Sequence, residues 1–143
     1  MDATTTTTRI DRRTELALAA ATVELTLITA YVHLTLGGAL FTLNAIGYAA
    51  LAAALAASAL PHSAVRRLAW LPRLALAGYT AATIGAYLVI GPYFTLGWVA
   101  KGVEVAILTL VAADLVLRYG SPGGLLRAVT TTVRAMSRAG STG

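Results

Sequence analysis

The 45 residues from Leu16 to Leu60 read LALAAATVELTLITAYVHLTLGGALFTLNAIGYAALAAALAASAL, and Glu24 and His33 are the only acidic, basic or histidine side chains among them. A helix needs roughly 20 apolar residues to cross a hydrocarbon layer, so this run is long enough for two spans. Gly37-Gly38 divides it into spans near 16–36 and 40–60 joined by a tight turn. Pro61 ends the second, because it lacks an N–H donor and clashes with the preceding turn. Two further apolar stretches follow, 74–90 up to Gly91-Pro92 and then 98–117. The predicted fold class is all-α: a four-transmembrane-helix bundle over 15–119. A disordered tail over 1–14, with its threonine run at 4–8, precedes it, and a linker and amphipathic tail over 120–143 follow.

Composition points the same way. Apolar residues make up 57% of the 143 and charged residues only 12%, where a soluble domain carries about a quarter. Mean hydropathy is +0.74. With no cysteine, disulfides, thiolate metal sites and cysteine nucleophiles are excluded. A net charge of +5 would suggest a nucleic-acid partner in a soluble protein, but the placement of the charge argues against one. Arg9, Arg12 and Arg13 precede the first span, Arg66, Arg67 and Arg73 lie between the second and third, and Arg118, Arg127, Arg134 and Arg138 follow the fourth. Of the basic residues only Lys101 falls elsewhere. By the positive-inside rule both termini and the 62–73 loop are cytoplasmic, and the chain is a multi-pass protein of the inner (plasma) membrane. The first apolar run is too long for a cleavable signal and continues straight into a second span.

Ionisable groups within spans are functional candidates, because leaving one in lipid costs about 2.5–3.5 kcal/mol or more. Glu24 lies eight residues past Leu16, about 12 Å into the membrane at the helical rise, where hydrocarbon disfavours its charged form. It is the candidate proton or ion carrier; the alternative is a protonated carboxyl bonded to a neighbouring Thr or Tyr. His33 sits nine residues on, on the opposite face of the same helix and about 5 Å from its outer end. The two cannot share a site within one helix.

A second group gathers at the depth of His33. Lys101 and Glu104 are spaced i,i+3 and pair along one face; Asn44 and Tyr48, spaced i,i+4, and Tyr87 near the end of the third span reach the same level. His33, Asn44, Tyr48, Tyr87, Lys101 and Glu104 form the candidate ligand-binding cluster in the outer leaflet. The same six could instead only satisfy one another and set the register of four similar helices. Asp114, four residues before Arg118, reads as a helix-surface ion pair. Gly78, Ala82 and Gly85, with the alanines of AALAAALAASA in the second span, read as close helix contacts in a compact bundle with little room for a wide pore. In the tail, Leu125, Leu126, Val129, Val133 and Met136 oppose Arg127, Arg134 and Arg138, an amphipathic helix suited to anionic lipid.

No catalytic arrangement is present. His62 falls in the cytoplasmic loop and His33 near the outer face, so one chain cannot hold a haem between them, and no metal-ligand spacing occurs. The expectation is a non-enzymatic protein without a cofactor. Two stretches, LFTLNAIGYAAL (40–51) and GYTAATIGAYLVIGPYFTLGWVAKGVEVAILTLVAADL (78–115), resemble a group of small prokaryotic four-helix membrane proteins of no established function. The shared pattern is Asn44-x-x-Gly47-Tyr48, Gly78-Tyr79-Thr80 and Gly97-x-x-x-Lys101-x-x-Glu104; it implies a fold and no activity. Glu24 alone resembles the mid-helix carboxylate of small multidrug resistance transporters, whose surrounding motifs are not matched. The functional expectation is an accessory subunit of a membrane complex, or a binder of a small or lipid-like ligand at the outer cluster. The alternative is a proton-coupled transporter acting as a homo-oligomer, a dimer, through Glu24.

Overall fold

A computed structural model describes residues 11–60 and 67–140. Among these residues there are five helices: α1 Arg12–Leu36, α2 Ala39–Ala57, α3 Trp70–Ile90, α4 Thr95–Tyr119 and α5 Pro122–Gly140. Gly37 and Gly38, at φ 70° and 84°, make the turn between α1 and α2, a conformation that glycine adopts without steric cost. α3 ends at Ile90, capped by Gly91 ahead of Pro92. Four helices close into a ring: α1 packs on α2 and α4, and α3 packs on α4 and, more sparsely, on α2. α5 touches α4, and Thr132 on it donates to the Arg67 carbonyl at 3.4 Å.

Among the described residues three helices, α1, α2 and α3, are long and apolar enough to cross a membrane, where the sequence predicts four. α4 has the length, with 25 residues, but Lys101, Glu104 and Asp114 interrupt its apolar run. Those charges share one face. The buried positions of α4 are Gly97, Ala100, Lys101, Glu104, Ile107, Val111 and Asp114, at helical spacing. The opposite face carries Leu96, Trp98, Val99, Val105, Val116 and Leu117, all exposed. α1 follows the same rule, with Thr22, Thr26, Thr29 and His33 buried while Leu27, Ile28, Tyr31 and Leu34 are exposed. An interior this polar inside an apolar surface is the arrangement of a protein whose solvent is lipid.

Five expectations need correction. Helix α1 begins at Arg12, not after residue 14, because Asp11 caps it by accepting from the Arg13 N–H; residues 1–10, with the threonine run and Arg9, lie outside the described residues, as do Pro61, His62 and Arg66. The 62–73 loop is shorter than drawn. Trp70–Arg73 is the first turn of α3, where Pro72 is tolerated since its missing N–H would have no partner anyway. Arg73 is not a loop cation: it is 1% exposed, donating to Asp114 Oδ2, to Ser58 Oγ at 3.0 Å and to the Ala69 carbonyl. Asp114 is accordingly no surface group. It is buried between Arg73 and Arg118, whose Nε donates to Oδ1 at 2.7 Å. Finally, Gly78 and Gly85 make no close helix contact; each is exposed, with nothing near the position a Cβ would take. Close approach happens at Gly47 and Gly97.

Candidate functional site

At the end of the ring carrying the Gly37-Gly38 and 91–94 connections, buried polar groups from all four helices meet. Glu104 on α4 is fully buried; its Oε2 accepts from Lys101 Nζ and from Thr83 Oγ1 at 3.1 Å. Thr83 accepts in turn from the Tyr48 hydroxyl at 2.7 Å, which ties α2 through α3 to α4. From α1, His33 brings Nε2 to 3.6 Å from Glu104 Oε1, while its Nδ1 lies 2.8 Å from the Thr29 carbonyl. Oε1 has no hydrogen-bond donor among the described residues. Rings enclose this core: His33 lies 5.5 Å from Tyr48, and Tyr79 meets Tyr48 edge-on at 5.0 Å. The Lys101 ammonium sits 5.4 Å above the Tyr87 ring, a cation–π contact.

Two glycines make room for those rings. A Cβ at Gly47 would lie 2.3 Å from the Tyr79 hydroxyl, and one at Gly97 would lie 2.4 Å from the Tyr87 hydroxyl. The Tyr79 O–H, so seated, donates to Asn44 Oδ1 at 2.6 Å, and Tyr87 donates to the Phe94 carbonyl at 3.3 Å. Tyr93 holds the connecting loop. It takes φ 42°, uncommon for a residue with a side chain, and its hydroxyl donates to the Leu88 carbonyl at 2.6 Å. Trp98 stacks near it, both half or more exposed, as aromatic residues do at a membrane–water boundary.

Beside this core a cleft of about 320 Å³ opens at the sparse α2–α3 joint. Its walls are mainly apolar; His33, Asn44, Tyr79, Thr83, Tyr87 and Lys101 supply the polar atoms. Leu40, Leu43 and Ile90 on its lips are strongly exposed.

Of the residues proposed from sequence, His33, Tyr48, Tyr87, Lys101 and Glu104 come together directly, and Asn44 joins them through Tyr79. Tyr79 and Thr83 are the residues that sequence reading missed. Their signal was the spacing Tyr79, Thr83, Tyr87, which puts three polar tips on one helix face. Glu24 is elsewhere. It is exposed on the outer face of α1 with Tyr31 and Thr35, and it does not line the cleft. Among the described residues no three histidine or acidic side chains gather as a metal site. Comparison with protein-family models, curated proteins and solved structures finds no match to this chain.

Proposed function

We propose that the protein is a non-enzymatic, four-span protein of the inner membrane that binds a small lipid-like ligand in the α2–α3 cleft. The observation that carries this reading is the union of buried, hydrogen-bonded charge with an apolar cleft whose lips are exposed leucine and isoleucine. Ligand sites are concave and mostly apolar with a few convergent polar groups; here the apolar lips would open to hydrocarbon, admitting a molecule from the bilayer. α4 completes the count of spans in this reading, because its charges turn inward and are paired, leaving an apolar outer face. Both ends would then be cytoplasmic, the cleft would sit in the outer leaflet, and α5 would rest on anionic lipid through Arg127 and Arg134.

The test is cleft filling. Ala86 lines the cleft yet is exposed, so Ala86→Trp occupies the space without disturbing the core. Native mass spectrometry of the parent, released from mild detergent, is expected to show a bound amphiphile that the variant has lost. Equal retention by both would exclude the cleft as the site.

A second reading concerns Glu24, as an exposed carboxyl at mid-helix. In hydrocarbon its neutral form both donates and accepts one hydrogen bond, so two copies facing across a two-fold axis satisfy each other. Ala17 and Ala20, exposed on the same helix, would permit close approach. The transporter alternative now depends on such a dimer.

A further inference from the structure

The hydrogen bond of His33 to the Thr29 carbonyl fixes which ring nitrogen faces Glu104. A carbonyl oxygen only accepts, so the Nδ1 facing Thr29 O carries hydrogen. Nε2 is then the atom turned to Glu104 Oε1, which no other donor reaches. With a neutral imidazole and an ionised carboxylate, two lone pairs would oppose each other in an interior that water does not screen. One proton between them, on Nε2 or on Oε1, removes the conflict. Lys101 is already the cation that Oε2 binds, so the three side chains then carry a net charge of +1. Among the described residues no other charge offsets it: α1 presents Thr26 and Thr29, α2 presents Asn44 and Tyr48, and α3 presents Tyr79, Thr80, Thr83 and Tyr87, all neutral at ordinary pH. An uncompensated charge in such a place is costly.

The cleft is where compensation can come from, since Lys101, His33 and Asn44 line it. Lys101 has three N–H donors, of which Glu104 takes one, and the Asn44 amide N–H groups have no partner among the described residues, its oxygen alone being engaged. The site is rich in donors, and with a proton on the His33–Glu104 pair it carries positive charge. Its volume of about 320 Å³ lies at the small end for ligand pockets, about 300–1,000 Å³, and suits one chain rather than a two-chain lipid. Resting on the ligand-binding reading above, we propose that the cleft takes a single-chain amphiphile with an anionic head group, and that each molecule bound brings one proton onto the His33–Glu104 pair.

Hexadecylsulfonate, anionic at every working pH, and hexadecanol, its neutral counterpart, separate the parts of this proposal. Titration calorimetry of the full chain in mild detergent, repeated in buffers of different ionisation enthalpy, counts protons; Ala86→Trp gives the background of partition into detergent. The sulfonate is expected to bind at least about tenfold more tightly than the alcohol, with close to one proton taken up. His33→Gln should bind without uptake, and Lys101→Met should lose the preference for sulfonate. Equal binding of the alcohol would overturn the head-group inference while leaving a lipid-like ligand in place. Binding of neither above background would overturn both. Sulfonate binding with no uptake, or with the same uptake in His33→Gln, would overturn the proton.

Discussion

Removing Asp114 should damage the fold more than removing Arg73, although the two form one ion pair. Arg73 is 1% exposed and Asp114 is the only anion it contacts among the described residues; its other partners there are the Ser58 hydroxyl and the Ala69 carbonyl. Asp114→Asn therefore strands a guanidinium in the interior, a loss of about 3–5 kcal/mol. Arg73→Met leaves Asp114 with Arg118, which still donates at 2.7 Å and reaches solvent more easily, so its cost should be nearer about 2 kcal/mol, that of one charged hydrogen bond. The double variant Arg73→Met with Asp114→Leu replaces the pair by apolar side chains and should recover most of the loss. At about 3 °C per kcal/mol, melting followed by tryptophan fluorescence in detergent should drop by about 10 °C for Asp114→Asn, by about half that for Arg73→Met, and least for the double variant. If Arg73→Met melts as low as Asp114→Asn, or the double variant lowest of all, then the asymmetry argued from Arg118 is wrong.

Lys101→Met strips Glu104 of its cation and should be more destabilising than Lys101→Met combined with Glu104→Gln; equal melting temperatures would show the two uncoupled. Glu24→Leu should abolish self-association in bilayers, measured by energy transfer between labelled copies, whereas Glu24→Gln, which still donates and accepts, should retain it. Unchanged transfer in Glu24→Leu would remove the dimer. Single cysteines at Thr95 and Ser121, at the two ends of α4, should label from opposite faces with an impermeant reagent, and labelling from one face alone would mean that α4 does not cross. A fluorophore at Ser137 should report closer lipid contact in discs containing anionic lipid than in neutral ones, an effect that Arg127→Gln with Arg134→Gln should weaken; identical signals would leave α5 without a lipid surface.

Helix positions were legible because length and apolarity act locally: the Gly37-Gly38 turn and the Gly91-Pro92 stop lie where backbone chemistry puts them. Lys101 and Glu104 were legible as a pair for the same reason, being one turn apart. What one helix cannot reveal is which of its faces turns inward. Glu24 and His33 lie on opposite faces of α1, so burying one exposes the other, and an isolated carboxylate in hydrocarbon looks more in need of cover than an imidazole. The deciding evidence was spread along the chain: Thr22, Thr26 and Thr29 share the face of His33, and four polar side chains at helical spacing outweigh one. Arg73 was hidden for a different reason. Three arginines near a proline read as a loop, and only Asp114, 41 residues away, makes the last of them an interior residue.

The two ends of the ring are built differently, and the difference bears on the cleft. At one end Arg73, Asp114, Ser58, Arg118 and Glu15 join all four helices or their immediate ends through charged hydrogen bonds. Such bonds are directional and costly to break, so they fix the spacing of α2 and α3 there. At the opposite end α2 and α3 are linked by Tyr79 to Asn44 and Tyr48 to Thr83, contacts between uncharged groups. Seating Tyr79 requires glycine at 47, and seating Tyr87 beside it requires glycine at 97, where any side chain would occupy the same space. A molecule entering between α2 and α3 therefore meets the part of the joint held by rings, and the ion pairs at the far end keep the helices from parting along their whole length.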